Sequence, residues 1–228
     1  MTQKTRQAYD RWAHQYDADP HPHTKLEFDD ILALLAPQAG EKILDAGCGT
    51  GRYIPALIRA GARVVGIDFS PNMLASARSK NPGVEFRAVD LSSSLPFVDR
   101  EFDAILCAQV AEHLPVLGPP IKEFFRILKP GGRAVISVTH ASMTWEGYEL
   151  RSPPESILSL QTDIFHHTPG DYFIALDDAG FKIDKILQIP VSEKIRDLLT
   201  PQTYEKFQGR FQIMAVRMVK PAVERPAN

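Results

Sequence analysis

From Glu41 onward, short apolar runs, several of them ending in an acid, alternate with stretches whose apolar positions recur every three or four residues. The short runs are the pattern of buried strands and the longer period is helical. Strands are predicted at Lys42–Asp45, Arg63–Asp68, Val84–Val89, Phe102–Ala108 and Arg133–Thr139. A helical rhythm resumes at Ile54 after a glycine-rich break. Another helix runs from Ser70 to about Ser79, with Ser70 as cap and Pro71 at its first position. A third, Pro119–Leu128, ends at Lys129-Pro130-Gly131-Gly132. Such alternation predicts a mostly parallel sheet covered on both faces.

Toward the C-terminus, Asp171–Ala179 reads as a helix stopped by Gly180, and Phe181–Ile189 as a strand of imperfect alternation. Ser192–Phe207 reads as an inserted helix interrupted at Pro201, and Phe211–Val219 as a closing antiparallel strand. Residues 140–170 are irregular and hold Pro153, Pro154 and Pro169; a loop this long in a compact domain is functional or mobile as a rule. Ahead of the alternating block, Thr5–Asp17 sets Tyr9, Trp12, Ala13 and Tyr16 on one aromatic helix face. Leu26–Ala36 is a second amphipathic helix, stopped by Pro37 and Gly40. His21 and His23, in the turn between them, lack the acid or cysteine pattern that would complete a metal site.

The chemistry starts at Glu41–Tyr53, EKILDAGCGTGRY. Gly47, Gly49 and Gly51 permit positive φ and remove the Cβ atoms that hold a ligand off the backbone. The helix start behind them offers N–H groups to a polar or anionic partner. A dinucleotide fingerprint needs a third glycine three positions after the second, and Arg52 stands there instead. Asp68 follows at about the ~20-residue distance at which an acid meets ribose hydroxyls. The two features together describe a nucleoside site without a pyrophosphate cradle.

LDAGCGTGRY, GIDFS and AVDL resemble the cofactor side of the class I S-adenosylmethionine-dependent methyltransferases, in the small-molecule, ubiquinone/menaquinone biosynthesis-like branch. The resemblance covers Tyr9 to Val138. It implies an α/β, Rossmann-like seven-stranded mostly parallel sheet with an antiparallel last strand, helices on both faces and an N-terminal helical lid. Residues 1–40 would be the lid, 41–220 the core with an acceptor-side loop insertion at 140–170, and 221–228 a disordered tail. It also implies S-adenosyl-L-methionine as cofactor and in-line transfer of its methyl to an O, N or C atom of a small-molecule acceptor.

Carried onto this chain, the resemblance gives Gly47, Gly49 and Gly51 close approach to the methionine part and Asp45 an indirect hold on its ammonium. Asp68 would take the ribose hydroxyls, Phe69 and Met73 would pack on adenine, and Asp90 with the backbone of Leu91 would meet its amino group. Gln109 and Val110 would line the pocket beneath the sulfonium, with Tyr9 and Tyr16 closing over the methionine moiety. His167 and His140 are the candidate proton acceptors, since histidine titrates near neutral pH. His113, in AEHLP, is read as a packing residue. Trp145, Tyr148 and Tyr172 would form an aromatic wall or pack the lid.

Composition narrows the setting. The 228 residues suit one domain, and 44% hydrophobic with 24% charged residues is ordinary for a soluble protein. A net charge of −2 gives no support for a nucleic-acid surface. No apolar run reaches the roughly 18 residues of a membrane span, and MTQKTRQAYD lacks a signal-peptide core. Cys48 and Cys107 cannot build a disulfide framework or a four-cysteine zinc site. The expectation is a cytoplasmic monomer or homodimer with no metal and no nucleic-acid partner. AQVAEHLP replaces the proline-rich element of amino-methylating nucleic-acid enzymes, and neither cysteine follows a proline as a cytosine-C5 nucleophile would. An NAD(P)-dependent oxidoreductase and a non-catalytic cofactor-binding module are the alternative readings.

Overall fold

The computed structural model describes residues 1–19, 21–140 and 162–222. Seven strands form one sheet: β1 (Lys42–Ala46), β2 (Arg63–Asp68), β3 (Glu85–Ala88), β4 (Phe102–Ala108), β5 (Leu128–Thr139), β6 (Lys182–Pro190) and β7 (Phe211–Val219). Their order is β3-β2-β1-β4-β5-β7-β6. β1 to β5 pair in parallel, and β7 runs antiparallel between β5 and β6. Strand order reverses between β1 and β4, which opens a crevice at their carboxyl ends, where open α/β sheets bind ligands.

The helices are α1 (Gln3–Trp12), α2 (Pro22–Leu35), α3 (Ile54–Arg59), α4 (Pro71–Lys80), α5 (Gly118–Ile127), α6 (Pro169–Ala179) and α7 (Pro201–Phe207). All but α1 carry proline in the first turn, where its missing N–H costs nothing. That habit explains the main departures from the sequence reading. Pro22 starts α2 ahead of Leu26, and Pro201 begins a helix where a break in one is expected. The Glu193–Leu198 stretch before it is a 3-10 segment. α1 ends at Trp12, so Tyr16 lies in the turn that follows. At the strand edges, β5 begins at Leu128 because Leu128 already pairs with Phe102 before the ladder resumes at Ala104–Arg133.

Strand alternation sorts the core into two layers. Leu44, Ile105 and Cys107 point into the layer that holds Phe124 from α5 and Leu176 from α6. Ile43, Ala104 and Leu106 point the other way, to Ile31 and Leu35 from α2, Ile54 and Leu57 from α3 and Leu74 from α4. A third cluster joins Leu26 of α2 to Ile195, Tyr204 and Phe207 of the segment between β6 and β7.

α1 lies against α4: the Asp10 carboxylate accepts from the Ser70 hydroxyl, and its carbonyl accepts from Asn72 Nδ2 at 2.9 Å. Asp17 accepts from Thr50 Oγ1 and pairs with Lys80, while Thr2, Lys4 and Thr5 bond to Asp163. These contacts hold the N-terminal segment over the sheet's carboxyl edge.

Gly66 tests how tightly β2 is packed there. A Cβ at this position would sit 2.7 Å from the Phe86 ring and 3.0 Å from Cys48 Sγ. Gly66→Ala is expected to cost about 1–3 kcal/mol by overpacking, read as a lower urea midpoint. Gly118→Ala, with nothing within 4 Å, should leave the midpoint in place.

Candidate active site

The bend after β1 is pinned to β2, because the Gly47 and Cys48 N–H groups both donate to the Ile67 carbonyl, at 2.7 and 2.9 Å. Gly47, Gly49 and Gly51 take φ of +80°, +51° and +83°, so all three need glycine's freedom. Their surroundings differ. A Cβ on Gly47 would fall 2.4 Å from Val110 Cγ2, and one on Gly51 would fall 2.8 Å from Asn81 Nδ2. Gly49 has nothing within 4 Å and faces open space. Gly47 and Gly49 line a cavity in the crevice, whereas Gly51 packs behind it.

Asp68, at the end of β2, accepts the Gly49 N–H through one carboxylate oxygen and the Ser70 N–H through the other, both at 2.9 Å. Burial nevertheless pushes its pKa up to about 6. Asp45 is 2% exposed, and its Oδ2 has no hydrogen-bond partner among the described residues. Burial first, and then the neighbouring Asp68 charge, push Asp45 up to about 7, with Arg52 opposing. A third carboxylate, Glu27 of α2, is fully buried; it accepts from Tyr53 Oη at 3.1 Å and from Gln109 Nε2 at 2.9 Å. Burial pushes it up to about 7 as well. Among the described residues the lining sets these three carboxylates against one guanidinium, Arg52, which lies 5.6 Å from the centre of the Tyr16 ring.

The β3–β2 side of the cavity is apolar, with Phe69, Met73, Val89 and Leu91. Tyr9 meets Phe69 edge-on at 6.0 Å. Its hydroxyl lies 2.9 Å from His113 Nε2, and His113 Nδ1 lies 2.9 Å from the Asp163 carbonyl. A carbonyl only accepts, so Nδ1 carries the proton and Nε2 accepts from the tyrosine. On the β1–β4 side, Gln109 holds φ +56°, a strained value for a non-glycine residue, and its N–H donates to the Ser137 carbonyl at 2.9 Å. Strain of that kind at a cavity wall is a mark of functional sites.

Of the residues singled out from sequence, the cavity gathers Tyr9, Tyr16, Asp45, Gly47, Gly49, Asp68, Phe69, Met73, Leu91, Gln109 and Val110. Asp90 lies outside its lining and accepts from the Met1 ammonium at 2.8 and 3.0 Å. Neither His167 nor His140 lines the cavity. His167 Nε2 sits 2.7 Å from the Leu114 carbonyl and the ring stands edge-on to Tyr172. His140 Nε2 lies 3.2 Å from Gln188 Nε2, and burial lowers its pKa. Tyr172 is buried in the core, while Trp145 and Tyr148 lie outside the described residues. No group of three metal-ligating side chains occurs among the described residues.

Glu27, Tyr53 and Arg52 were not among the expected site residues. Glu27 did leave a trace in the sequence, for it stands in the buried stripe Glu27, Ile31 and Leu34, an acid where the helical period calls for an apolar residue.

The carboxyl edge of this α/β sheet thus carries a bare glycine bend, an acid after β2 and an apolar flank around one cavity, at the place where open α/β sheets bind ligands. Residues 44–136 match the family model described as a methyltransferase domain. Over 122 residues the chain is 40% identical to the demethylmenaquinone methyltransferase of Clavibacter sepedonicus, covering 51% of this chain and 49% of that protein. Over 118 residues it is 32% identical to the ubiquinone biosynthesis O-methyltransferase of Xylella fastidiosa, covering 50% and 48%. The chain thus spans about half the length of these curated relatives. The solved S-adenosylmethionine dependent methyltransferase from Mesorhizobium loti shares the fold, with a TM-score of 0.71 and 24% identity over 85% of this chain and 97% of that one.

The buried acids make stability depend on pH. Asp45, Asp68 and Glu27 keep their protons to higher pH when folded than the ordinary value near ~4 of an unfolded carboxyl. The native state therefore binds more protons between about pH 4 and 7, and their contribution to stability falls as pH rises through that window. Glu41, Asp103 and Glu123, held low and paired with basic side chains, act in the opposite sense and lose their contribution only at lower pH. Asp45→Asn should consequently raise the thermal midpoint more at pH 8 than at pH 5. An equal shift at both would show that Asp45 ionises like a surface acid.

Proposed function

We propose that this protein transfers a methyl group from S-adenosyl-L-methionine to a small-molecule acceptor, with residues 1–40 covering the site. The observation that carries this reading is the cavity where Asp68, held by two backbone N–H groups, stands between an apolar flank and the unpartnered Asp45 oxygen. The residues fit the cofactor's parts. Asp68 retains acceptor capacity for two ribose hydroxyls. Phe69, Met73, Val89 and Leu91 offer apolar surface to the adenine ring. Asp45 Oδ2 is a buried acceptor awaiting an N–H donor, and leaving it without one is costly. Gly49 leaves room for close approach of the methionine part.

The bound cofactor supplies an activated methyl group on a sulfonium whose leaving group is a neutral thioether. The work left to the chain is alignment and exclusion of water, and holding reacting atoms about 3–3.5 Å apart lowers a barrier by several kcal/mol. The relatives' names, a demethylmenaquinone methyltransferase and a ubiquinone biosynthesis O-methyltransferase, point to a quinone-related acceptor, and the aromatic side chains Tyr9 and Tyr16 suit a flat substrate. We take this protein to act as a cytoplasmic monomer or homodimer, and the net charge of −2 gives no support for a nucleic-acid partner. No helix among the described residues is long and apolar enough to cross a membrane.

Calorimetry with S-adenosylhomocysteine and with NADH separates this reading from a nicotinamide enzyme. Binding of NADH alone would end it. Labelled cofactor incubated with host extract should place label on a metabolite. Asp68→Ala should weaken S-adenosylhomocysteine binding by about tenfold or more, the worth of about one charge-assisted hydrogen bond. His140→Asn and His167→Asn, which alter residues outside the cavity, are expected to leave turnover within about threefold. A loss of about a hundredfold or more would make either one the proton acceptor.

A further inference from the structure

Glu27 has no role in the function proposed above, yet it is a fully buried carboxylate in the cavity wall. It comes from α2 and accepts hydrogen bonds from Tyr53, which precedes α3, and Gln109, which follows β4. The cavity is polarised along the strand order. Phe69 and Met73 follow β2 and Val89 and Leu91 follow β3, whereas Asp45, Gln109 and Glu27 gather at β1 and β4. With ribose at Asp68, the apolar flank takes the base, and the 5′ side of the nucleoside faces the acidic end.

Two cations of the cofactor must be met there, an ammonium and a sulfonium, and they ask for different partners. An ammonium carries three N–H donors and seeks open acceptors, which Asp45 Oδ2 provides. A sulfonium has no N–H; it needs nearby negative charge and no hydrogen bond. Glu27 suits that cation, because both of its oxygens already accept hydrogen bonds, while among the described residues no cation forms an ion pair with it. The donors Tyr53 and Gln109 hold the carboxylate in place.

Resting on the function proposed above, we propose that Glu27 is the counter-charge to the sulfonium and a discriminating residue, by which the site prefers the methyl donor to its spent thioether. Methyl transfer breaks the S–CH3 bond and leaves the electron pair on sulfur, so Glu27 then faces a neutral atom. The acceptor gains CH3 and loses its proton. Retention of the product is weakened by the same charge that retained the donor, and α2, which carries Glu27, is part of the segment covering the site.

The test needs no acceptor. Calorimetry at pH 8 measures S-adenosyl-L-methionine and S-adenosylhomocysteine on the wild type, Glu27→Gln and Asp45→Asn. The wild type should bind S-adenosyl-L-methionine about tenfold tighter than S-adenosylhomocysteine or more, the scale of one partly screened charge pair. Glu27→Gln should bring that ratio within about threefold while leaving S-adenosylhomocysteine affinity unchanged. Asp45→Asn should weaken both ligands alike, since both carry the ammonium. A wild type without preference would overturn the assignment and needs no variant to show it. Equal weakening of both ligands by Glu27→Gln would also overturn it. Binding of neither ligand to the wild type would instead remove the proposed function itself.

Discussion

Burial of carboxylates at the carboxyl edge of a parallel sheet is the constraint around which this protein is arranged. A strand buried on both faces must be apolar where it is buried, and β1 and β2, past Lys42 and Arg63 at their less buried starts, obey that rule until Asp45 and Asp68, which are almost without exposure. Unpaired charge in such a place is expensive, so it must be solvated by backbone dipoles, by hydrogen-bond donors or by a ligand. Asp68 has the first remedy and Glu27 the second, while one oxygen of Asp45 has neither.

The glycine bend is part of the same solution. Its N–H groups at Gly47 and Cys48 bond to Ile67, and that of Gly49 bonds to Asp68, so the loop is held by β2 as firmly as by its own strand. Holding the loop there requires Val110 to close over Gly47 and Asn81 to close over Gly51. Only at Gly49 does the missing side chain leave free space. One motif thus serves two ends, tight packing at its flanks and ligand access at its centre.

Contacts of a different grade hold the N-terminal segment. The Lys80–Asp17 and Lys4–Asp163 pairs are substantially exposed, and such pairs contribute little, about 0–1 kcal/mol each. Trp12 and Ala8 add buried apolar area, and α2 is anchored more deeply through Ile31 and Leu35. α1 is therefore the more easily displaced of the two helices, and α2, with Glu27, is the part that stays with the core.

Strand positions, the proline starts at Pro71 and Pro119, the glycine bend and most of the cavity lining were legible in the sequence, since period, glycine spacing and strand-end acids are local signals. Residues 44–136, which match the methyltransferase-domain model, hold much of that local information. Local pattern cannot report what a distant segment brings. Glu27 stands 82 residues from Gln109 and meets it only because α2 packs against the sheet. The same limit applies to His140, singled out by its place past a strand end, and to His167, singled out by the segment before the AGF helix ending: local pattern does not report that Gln188 lies beside the one and the Leu114 carbonyl beside the other. Periodicity and spacing decide which face of an element is buried and where the chain can bend. Which buried polar groups share one cavity is decided by long-range packing, because hydrogen bonds and desolvation act through space and not along the chain.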